Sequence, residues 1–294
     1  MVRLGIDLGG TKIEGIVLVS EGAEQFRARI PTEQEGGYGH ILARIRSLYE
    51  DMVRSIDGAD HTFGIGTPGA ISPQTGLLKN SNTLCLNGRP LKADLERLLG
   101  REIGIENDAN CFAVAEALSG AGKGRNLVFG VIMGTGCGGG IVYKGEVLRG
   151  LQAIGGEWGH HAINPEGPQC YCGSRGCVET YISGGGLEKR YATAWGQALS
   201  LQEIVNRYRS GDGRATAFMR EFFAHFGRAM ANLINILDPD IVVLGGGVSN
   251  IDELYTEGVA QVRAAVFSDS LLTPIVRHAL GDSSGVIGAA LIGK

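Results

Sequence analysis

Apolar residues recur in two stretches that each enclose a cluster of glycines. Residues 5–18 read GIDLGGTKIEGIVL and residues 130–143 read GVIMGTGCGGGIVY. An apolar run, a glycine-rich turn and a second apolar run predict a β-hairpin in each case. Because glycine permits close approach and unusual dihedral angles, such turns can cradle phosphate oxygens with backbone N–H groups. The repetition predicts an internal duplication, with one hairpin in each of two lobes.

The two hairpins differ at one informative position. Asp7 aligns with Ile132, so only the first hairpin carries a carboxylate, which suits a hydrated magnesium ion beside a phosphate. Neither turn matches a common nucleotide motif: DLGGTK lacks the spacing of a P-loop, and GTGCGG is followed by an apolar strand instead of a helix. Glycines that serve only turn geometry are the alternative for each turn taken alone. For the pair, Thr11, Lys12 and Thr135 supply donors and favour phosphate binding.

A long helix and a buried strand follow later in the chain. Residues 216–238 place apolar side chains at intervals of three and four, which predicts an amphipathic helix. The run IVVLGGGVSN (241–250) then leads an apolar strand into glycines. A crevice at the carboxyl end of an α/β strand is a common nucleotide site, and Ser183–Gly186 can form its opposite wall. Simple strand-to-helix turns explain both segments equally well.

Residues 102–117, EIGIENDANCFAVAEA, join a short strand to a helix through a polar cluster. Asp108 lies where a helix N-cap belongs, and that position alone can explain it. A carboxylate at a strand end can also accept a proton from an attacking hydroxyl. The residues by themselves leave cap and general base equally open.

The overall composition narrows the function classes. Among 294 residues, 44% are hydrophobic and 20% charged, as in ordinary globular proteins, and the net charge of −4 gives no basic footprint for nucleic acid. No run is long enough for a membrane span, and MVRLGIDLGG lacks the order of a signal peptide. Six cysteines in a chain of this length are not a secreted disulfide framework. We therefore expect a cytoplasmic protein.

Residues 157–179, EWGHHAINPEGPQCYCGSRGCVE, concentrate the metal-binding chemistry. A His/Cys3 set at loop spacing is what a closed tetrahedral zinc site needs, and Glu157 and Glu179 flank it. A disulfide from Cys170 or Cys172 to Cys177 and a chance grouping of buried side chains are the alternatives. The predicted zinc ligands are His160, Cys170, Cys172 and Cys177.

A polar loop region at residues 64–91 adds hydrogen-bonding groups. Thr67–Gly69 follow a strand, and Asn80 and Asn82 offer amide donors and acceptors. Together with the carboxylates of the cysteine loop, these groups suit a polyhydroxylated ligand, since each sugar hydroxyl needs a partner on burial.

Five motifs in order resemble the ROK family (repressor, open reading frame, kinase) of sugar kinases over essentially the whole chain. The motifs are DLGGTK (7–12), ENDAN (106–110), EWGH (157–160), CYCGSRGCVE (170–179) and LGGG (244–247). The resemblance implies an α/β, two-lobed actin-like ATPase fold, related to ribonuclease H, with a zinc-binding loop. It implies ATP-dependent phosphorylation of the carbon-six hydroxyl of a hexose.

The resemblance also assigns roles to individual residues. Asp108 is the implied general base, and Asp7 acts through the magnesium shell. The implied sugar contacts are Gly69, Asn82, Asn107, Asp108, Glu157, His160 and Glu179. The implied contacts to ATP, besides Asp7, are Gly9, Gly10, Thr11, Lys12, Gly134, Thr135, Gly136, Gly185, Gly246 and Gly247. The implied cofactors are ATP, Mg²⁺ and a structural Zn²⁺.

Lobes, assembly and substrate follow from the same resemblance. We expect a small lobe at 1–119, a large lobe at 120–283 with the zinc loop at 157–179, and a C-terminal helix at about 284–294 that returns to the small lobe. A homodimer is expected. Within the family, residues 67–88, 170–184 and 278–290 resemble bacterial fructokinases of the manno(fructo)kinase type, so fructose is the predicted substrate, with mannose or glucose as further substrates.

Several alternatives stay open. Other ROK kinases act on N-acetylglucosamine, N-acetylmannosamine or glucose, and they share most of the same sugar contacts. A non-catalytic sugar sensor or regulator is the alternative from another class. A DNA-binding repressor is disfavoured because the phosphate turn begins at Asp7, and a zinc oxidoreductase because four protein ligands leave the metal no open position.

Overall fold

A computed structural model describes the backbone of residues 1–294 and the side chains of all of them except Glu21 and Asp282. The strands are β1 (Val2–Leu8), β2 (Lys12–Leu18), β3 (Glu24–Pro31), β4 (His61–Thr67), β5 (Ala70–Ile71), β6 (Leu78–Lys79), β7 (Gly104–Asn107), β8 (Leu127–Met133), β9 (Cys137–Tyr143), β10 (Glu146–Val147), β11 (Ile241–Gly245) and β12 (Ile275–Arg277). The helices are α1 (Gly37–Arg54), α2 (Leu91–Leu99), α3 (Asp108–Ser119), α4 (Glu179–Ile182), α5 (Gly184–Trp195), α6 (Leu201–Arg209), α7 (Gly213–Leu237), α8 (Glu257–Ala265) and α9 (Ser284–Leu291).

The chain divides into two compact units, each made of separate segments. The first unit comprises residues 1–120, 140–155 and 280–294, and the second comprises 121–139 and 156–279. Residues 140–155 thus lie in the first unit, whereas the sequence placed them in the large lobe. The physical reason is close packing: Gly140 has no side chain, and it lies directly against Ala109 and Ala113 of α3.

The first unit is built on a five-stranded sheet in the order β3-β2-β1-β4-β7. The predicted hairpin at 5–18 is confirmed, with Asp7 opposite Glu14 in the antiparallel β1–β2 pair. Strands β4 and β7 continue the sheet in parallel. One face is covered by α1, whose Ile41, Ile45, Leu48 and Met52 are buried at helical spacing in the main core of this unit.

The C-terminal helix α9 packs on a row of glycines in this sheet. Gly5 pairs with Gly64, and Gly64 with Gly104, so the three lie side by side on β1, β4 and β7. A methyl group added to any of them would overlap the backbone of residues 289–292. Small residues in register therefore allow the helix and the chain after it to approach the strands at backbone distance.

The second unit contains the parallel strands β8, β11 and β12, with β11 in the centre. Strand β9 carries the chain from the second unit into the first. The predicted helix at 216–238 is observed as α7, which buries Phe222, Phe226 and Met230 along one face. Within the described residues, no helix is both long and apolar enough to span a membrane.

Candidate active site

In the first unit, three parallel strands end at one edge and place the predicted chemistry there. Asp7 on β1 lies beside Gly66 on β4, and Thr67 lies beside Asn107 at the end of β7. Carboxyl ends of parallel strands meet at the same edge of a sheet, which is where α/β proteins commonly bind ligands. The edge therefore brings together Asp7, the turn after β1 and the Asn107-Asp108 pair.

The turn Gly9–Lys12 is a tight connection between β1 and β2. The Gly9 N–H donates to the Lys12 carbonyl at 2.9 Å. Thr32 braces the turn twice: its hydroxyl donates to the Gly9 carbonyl at 2.7 Å, and its N–H donates to the Thr11 carbonyl at 3.0 Å. The residue that follows β3 thus fixes the backbone of this turn from outside.

Asn107 and Asp108 lie at the start of α3, where the sequence leaves an N-cap and a general base as alternatives for Asp108. The N-cap of the helix is Asn107, whose side-chain oxygen accepts the Asn110 N–H at 2.8 Å, so the N-cap alternative for Asp108 is not observed. Asp108 is the first residue of α3, and its Oδ1 accepts the adjacent Ala109 N–H at 2.8 Å. Since the cap is provided by its neighbour, helix capping does not explain Asp108.

Asp7 occupies an unfavourable site for a bare carboxylate. Its side chain lies between Gly66 and Gly285, the second residue of α9. Burial, and after it the charges of Asp108 and Glu14, raise the pKa of Asp7 to about 7, while the charge of Lys12 acts in the opposite direction. A cation beside Asp7 would offset this cost, which fits a group that acts through hydrated magnesium.

The segment after β4 is closely packed at Gly69 and hydrogen-bonded at Ser81. Gly69 lies against the Lys79 carbonyl and Ser81, closer than a larger residue would allow. Asn87 holds Ser81 from both sides, accepting its N–H at 2.9 Å and donating to its carbonyl at 2.8 Å. Asn82, the next residue, is exposed on this braced segment.

In the second unit, the predicted nucleotide segments converge on the turn Gly134–Gly136. The N–H groups of Gly184 and Gly185, at the start of α5, donate to the carbonyls of Gly134 and Thr135 at 2.7 and 3.2 Å. Gly246, with φ of 77°, lies against Met133 and Gly134. The start of α5 therefore packs on the turn itself.

Glu179 joins the cysteine loop to the same turn. It is the first residue of α4, and its Oε2 accepts the Cys137 N–H at 2.9 Å. Its Oε1 lies 4.0 Å from the Cys170 sulfur. Glu157 precedes the short helical turn Trp158–His160, and its carbonyl accepts the His160 N–H at 3.2 Å.

The four predicted zinc ligands lie together. One ligand atom from each of His160, Cys170, Cys172 and Cys177 falls within 4.8 Å of all the others. The His160 Nδ1–Cys170 Sγ and Cys172 Sγ–Cys177 Sγ distances are both 3.7 Å. Ligand atoms around a tetrahedral zinc lie about 3.5–3.8 Å apart, whereas a disulfide needs about 2.05 Å. The donor set and its spacing fit zinc, and these cysteines are not disulfide-bonded.

Of the three cysteines in the cluster, Cys172 has the lowest pKa and is the most easily deprotonated. Burial raises the pKa of Cys172, but hydrogen bonds from Ser174 and the neighbouring thiols outweigh it and bring the pKa down to about 7. Burial raises the pKa of Cys170 and Cys177. The other histidine nitrogen, Nε2 of His160, lies 3.1 Å from the Tyr171 hydroxyl, so Tyr171 orients the ring that presents Nδ1 to the sulfurs.

A cavity of about 630 Å³ opens within the second unit. It runs from Thr135 and Gly185 along α5 to Phe218 on α7, with Lys189 on its wall. Two of the predicted ATP residues thus line a space large enough for part of a nucleotide.

Some supporting residues escaped the sequence analysis. Thr32 and Asn87 brace predicted segments, and Tyr171 lies inside the CYC motif without metal-ligand chemistry of its own. The Thr32–Gly9 bond joins residues 23 positions apart, whereas Asn87 lies six positions from Ser81. Of these, Tyr171 alone carried a local signal, its place between two predicted ligands.

The family model, the curated relatives and the solved structures that match this chain all concern sugar kinases or the ROK family. The family model described as the ROK family matches residues 3–294. The N-acetyl-D-glucosamine kinase of Pasteurella multocida (strain Pm70) is 39% identical, with 99% of each chain covered. The crystal structure of the ROK hexokinase from Thermus thermophilus is 32% identical, with a TM-score of 0.90 over 100% of this chain and 98% of that one.

A second similar structure was solved with ligands bound. The ROK glucokinase from Streptomyces griseus, in complex with glucose and AMPPNP, is 29% identical with a TM-score of 0.80 over 100% of this chain and 99% of that one. The predicted α/β kinase fold is confirmed by these likenesses. The fructokinase subtype is not supported, since curated relatives that are 37–39% identical over nearly the whole chain are N-acetyl-D-glucosamine kinases.

Proposed function

We propose that this chain, which belongs to the ROK family and is an ATP-dependent sugar kinase, phosphorylates N-acetyl-D-glucosamine on its carbon-six hydroxyl. The observation that carries the substrate is the 39% identity to the Pasteurella multocida kinase along 99% of both chains. This replaces fructose, which the sequence favoured, by the N-acetyl sugar that it kept as an alternative. The sugar-contacting residues are largely shared among these kinases, so overall similarity is the better guide to substrate.

Asp108 is the proposed general base. Its carboxylate accepts the proton of the carbon-six hydroxyl while that oxygen forms a bond to the γ-phosphorus of ATP. The bond from the γ-phosphorus to the bridging oxygen breaks, and ADP leaves with the electron pair. Because Asn107 caps α3, the Asp108 carboxylate can take part in this transfer without loss of the helix start.

The proposed phosphate contacts come from two turns. Gly9, Gly10, Thr11 and Lys12 form the first, and Gly134, Thr135 and Gly136 form the second. Gly185, Gly246 and Gly247 are proposed to complete the nucleotide site, because Gly185 and Gly246 pack on the second turn. Bound magnesium supplies charge neutralisation, and Asp7, a buried carboxylate with raised pKa, is suited to hold its water shell.

The proposed sugar contacts are two side-chain amides and three carboxylates, together with one glycine and one histidine. Amide and carboxylate groups match the donor and acceptor pattern of sugar hydroxyls. The set is Gly69, Asn82, Asn107, Glu157, His160 and Glu179, together with Asp108.

A structural zinc ion is proposed at His160, Cys170, Cys172 and Cys177, supported by their mutual distances. Four protein ligands give the metal a structural role, which is to fix the loop that ends at Glu179. A homodimer, closure of two lobes on the sugar and lobe boundaries near residues 119 and 284 stay proposals that rest on the family resemblance.

The test is ADP release from MgATP with N-acetylglucosamine, N-acetylmannosamine, fructose, mannose and glucose. The highest kcat/KM with N-acetylglucosamine supports the proposal. A higher kcat/KM with fructose would restore the original prediction and overturn the N-acetyl assignment. Sugar binding by calorimetry without ADP release for any of them would favour the non-catalytic sensor.

A further inference from the structure

Glu106 is a nearly buried carboxylate directly before the Asn107-Asp108 pair. Its side chain is 5% exposed. Its Oε2 accepts a hydrogen bond from Asn110 Nδ2 at 3.0 Å, which ties the end of β7 to the first turn of α3. A buried charge needs a charged partner as well as hydrogen bonds.

That partner is Arg149, which lies far along the chain. Its Nε donates to Glu106 Oε1, although the arginine side chain is 59% exposed. Arg149 begins a short loop, residues 149–155, that follows β10. The Gly155 N–H donates to the Arg149 carbonyl at 2.9 Å and so closes the loop on itself.

The 149–155 loop has a second attachment. The Gln152 carbonyl accepts a hydrogen bond from Lys79 Nζ at 2.6 Å. Lys79 ends β6, and its own carbonyl lies against Gly69. The loop is therefore attached at two points. One is Glu106 on β7, next to Asn107, and the other is Lys79 at the end of β6, three residues before Asn82.

We infer that Arg149 is a positioning residue for sugar binding. Through Glu106 it fixes the 149–155 loop as a brace between the strand end before Asn107 and the β6 segment before Asn82. The sugar contacts of the first unit are thereby held at a constant separation. This inference rests on the proposed function of those contacts.

The Arg149–Glu106 ion pair is directional, and a contact that only stabilised the fold would not need to be. Arginine offers a rigid, directional fork, which sets geometry better than a flexible ammonium group. An apolar pair of similar volume would stabilise the fold as well or better, since burying the Glu106 charge has a desolvation cost. The geometry therefore favours alignment over stability as the role of the pair.

The test compares Arg149→Met and Arg149→Lys with the wild type, using N-acetylglucosamine and MgATP. Arg149→Met is expected to raise the KM for the sugar about tenfold or more, with the KM for ATP within about twofold of the wild type. Arg149→Lys should recover most of the melting temperature but only part of the sugar affinity. Lys79→Met, which removes the second attachment, should act in the same direction.

A matched control exists on α1. Arg46 Nε donates to Glu50 Oε1 at 2.7 Å, and the two side chains are 54% and 46% exposed. Arg46→Met removes the same type of pair from a solvated surface, and every kinetic constant should stay at the wild-type value.

A further variant separates alignment from stability. Glu106→Gln combined with Arg149→Met removes both charges and should regain melting temperature without regaining sugar affinity. Recovery of both together, or a sugar KM in Arg149→Met within about twofold of the wild type, would overturn the inference. Absence of phosphorylation by the wild type would overturn the proposed function instead, so the two failures are distinct.

Discussion

The Glu179 carboxylate accepts the backbone N–H of Cys137 at 2.9 Å, and this bond ties the first residue of α4 to the first residue of β9. The hydrogen bond makes a proposed sugar ligand part of the support for the proposed phosphate turn at 134–136. A substitution of Glu179 is therefore expected to affect the kinetics with both the sugar and ATP.

Glu179→Ala is expected to lower kcat/KM for N-acetylglucosamine about a hundredfold or more and to raise the KM for ATP as well, because the Cys137 N–H loses its acceptor. Glu179→Gln keeps a neutral acceptor and should leave the KM for ATP closer to the wild type. Steady-state kinetics with each substrate varied in turn measures both effects. Equal KM values for ATP in the two variants would argue against the link to the turn.

Asp108→Asn is expected to reduce kcat about a hundredfold or more while sugar binding measured by calorimetry stays nearly unchanged. The melting temperature should change little, because Asn107 caps α3. Asp51→Asn, a change at a half-exposed carboxylate of α1 that pairs with Arg54, is the matched control. Turnover close to the wild type in Asp108→Asn would rule out the general-base role.

Asp7 predicts an unusual dependence of stability on pH. Its pKa is raised to about 7 in the folded chain from 3.8, so the folded state binds more protons between those values. Stability from this group is therefore greatest at low pH and falls as pH rises toward 7. Without magnesium, Asp7→Asn should stabilise the protein by up to about 4 kcal/mol at pH 8 and by clearly less at pH 5.

Thermal melts in chelator at the two pH values measure this effect, with Asp60→Asn in an exposed turn as the control. Magnesium with nucleotide should raise the melting temperature of the wild type more than that of Asp7→Asn. A melting temperature of Asp7→Asn below that of the wild type at pH 8 in chelator would contradict the raised pKa.

Cys172→Ser tests the proposed metal site. Elemental analysis of protein purified without chelator should give about one zinc per wild-type chain and much less in the variant. The variant should lose more affinity for the sugar than for ATP, since the loop ends at Glu179. Cys85→Ser, outside the cluster, is the control and should keep its zinc. A wild-type chain that contains no zinc would contradict the proposed metal site.

Local patterns in the sequence predicted much of this structure. The hairpin at β1 and β2, the long helix α7 and the grouping of His160 with three cysteines each depend on residues close in sequence. The predicted fructokinase subtype is not supported by the comparisons, and the sequence left the role of Asp108 open between N-cap and general base. A polar cluster such as Asn107-Asp108 offers two equivalent caps, and only the backbone angles select between them.

What the sequence left open depends on distant contacts. The brace of Thr32 on the Gly9 turn, the Glu106–Arg149 pair and the Glu179–Cys137 bond each join segments that the chain pattern does not relate. Residues 140–155 joined the first unit because Gly140 fits against α3, which is a matter of tertiary packing.

The glycine row of Gly5, Gly64 and Gly104 has a consequence for the order of folding. The residues that cover it, 280–294, follow the whole second unit in the chain. During synthesis the strands of the first unit leave the ribosome long before the helix that packs on them, and a bare glycine face stays open to solvent in the meantime. The first unit is therefore expected to reach its native packing only after the second unit has been translated, although its strands were made first.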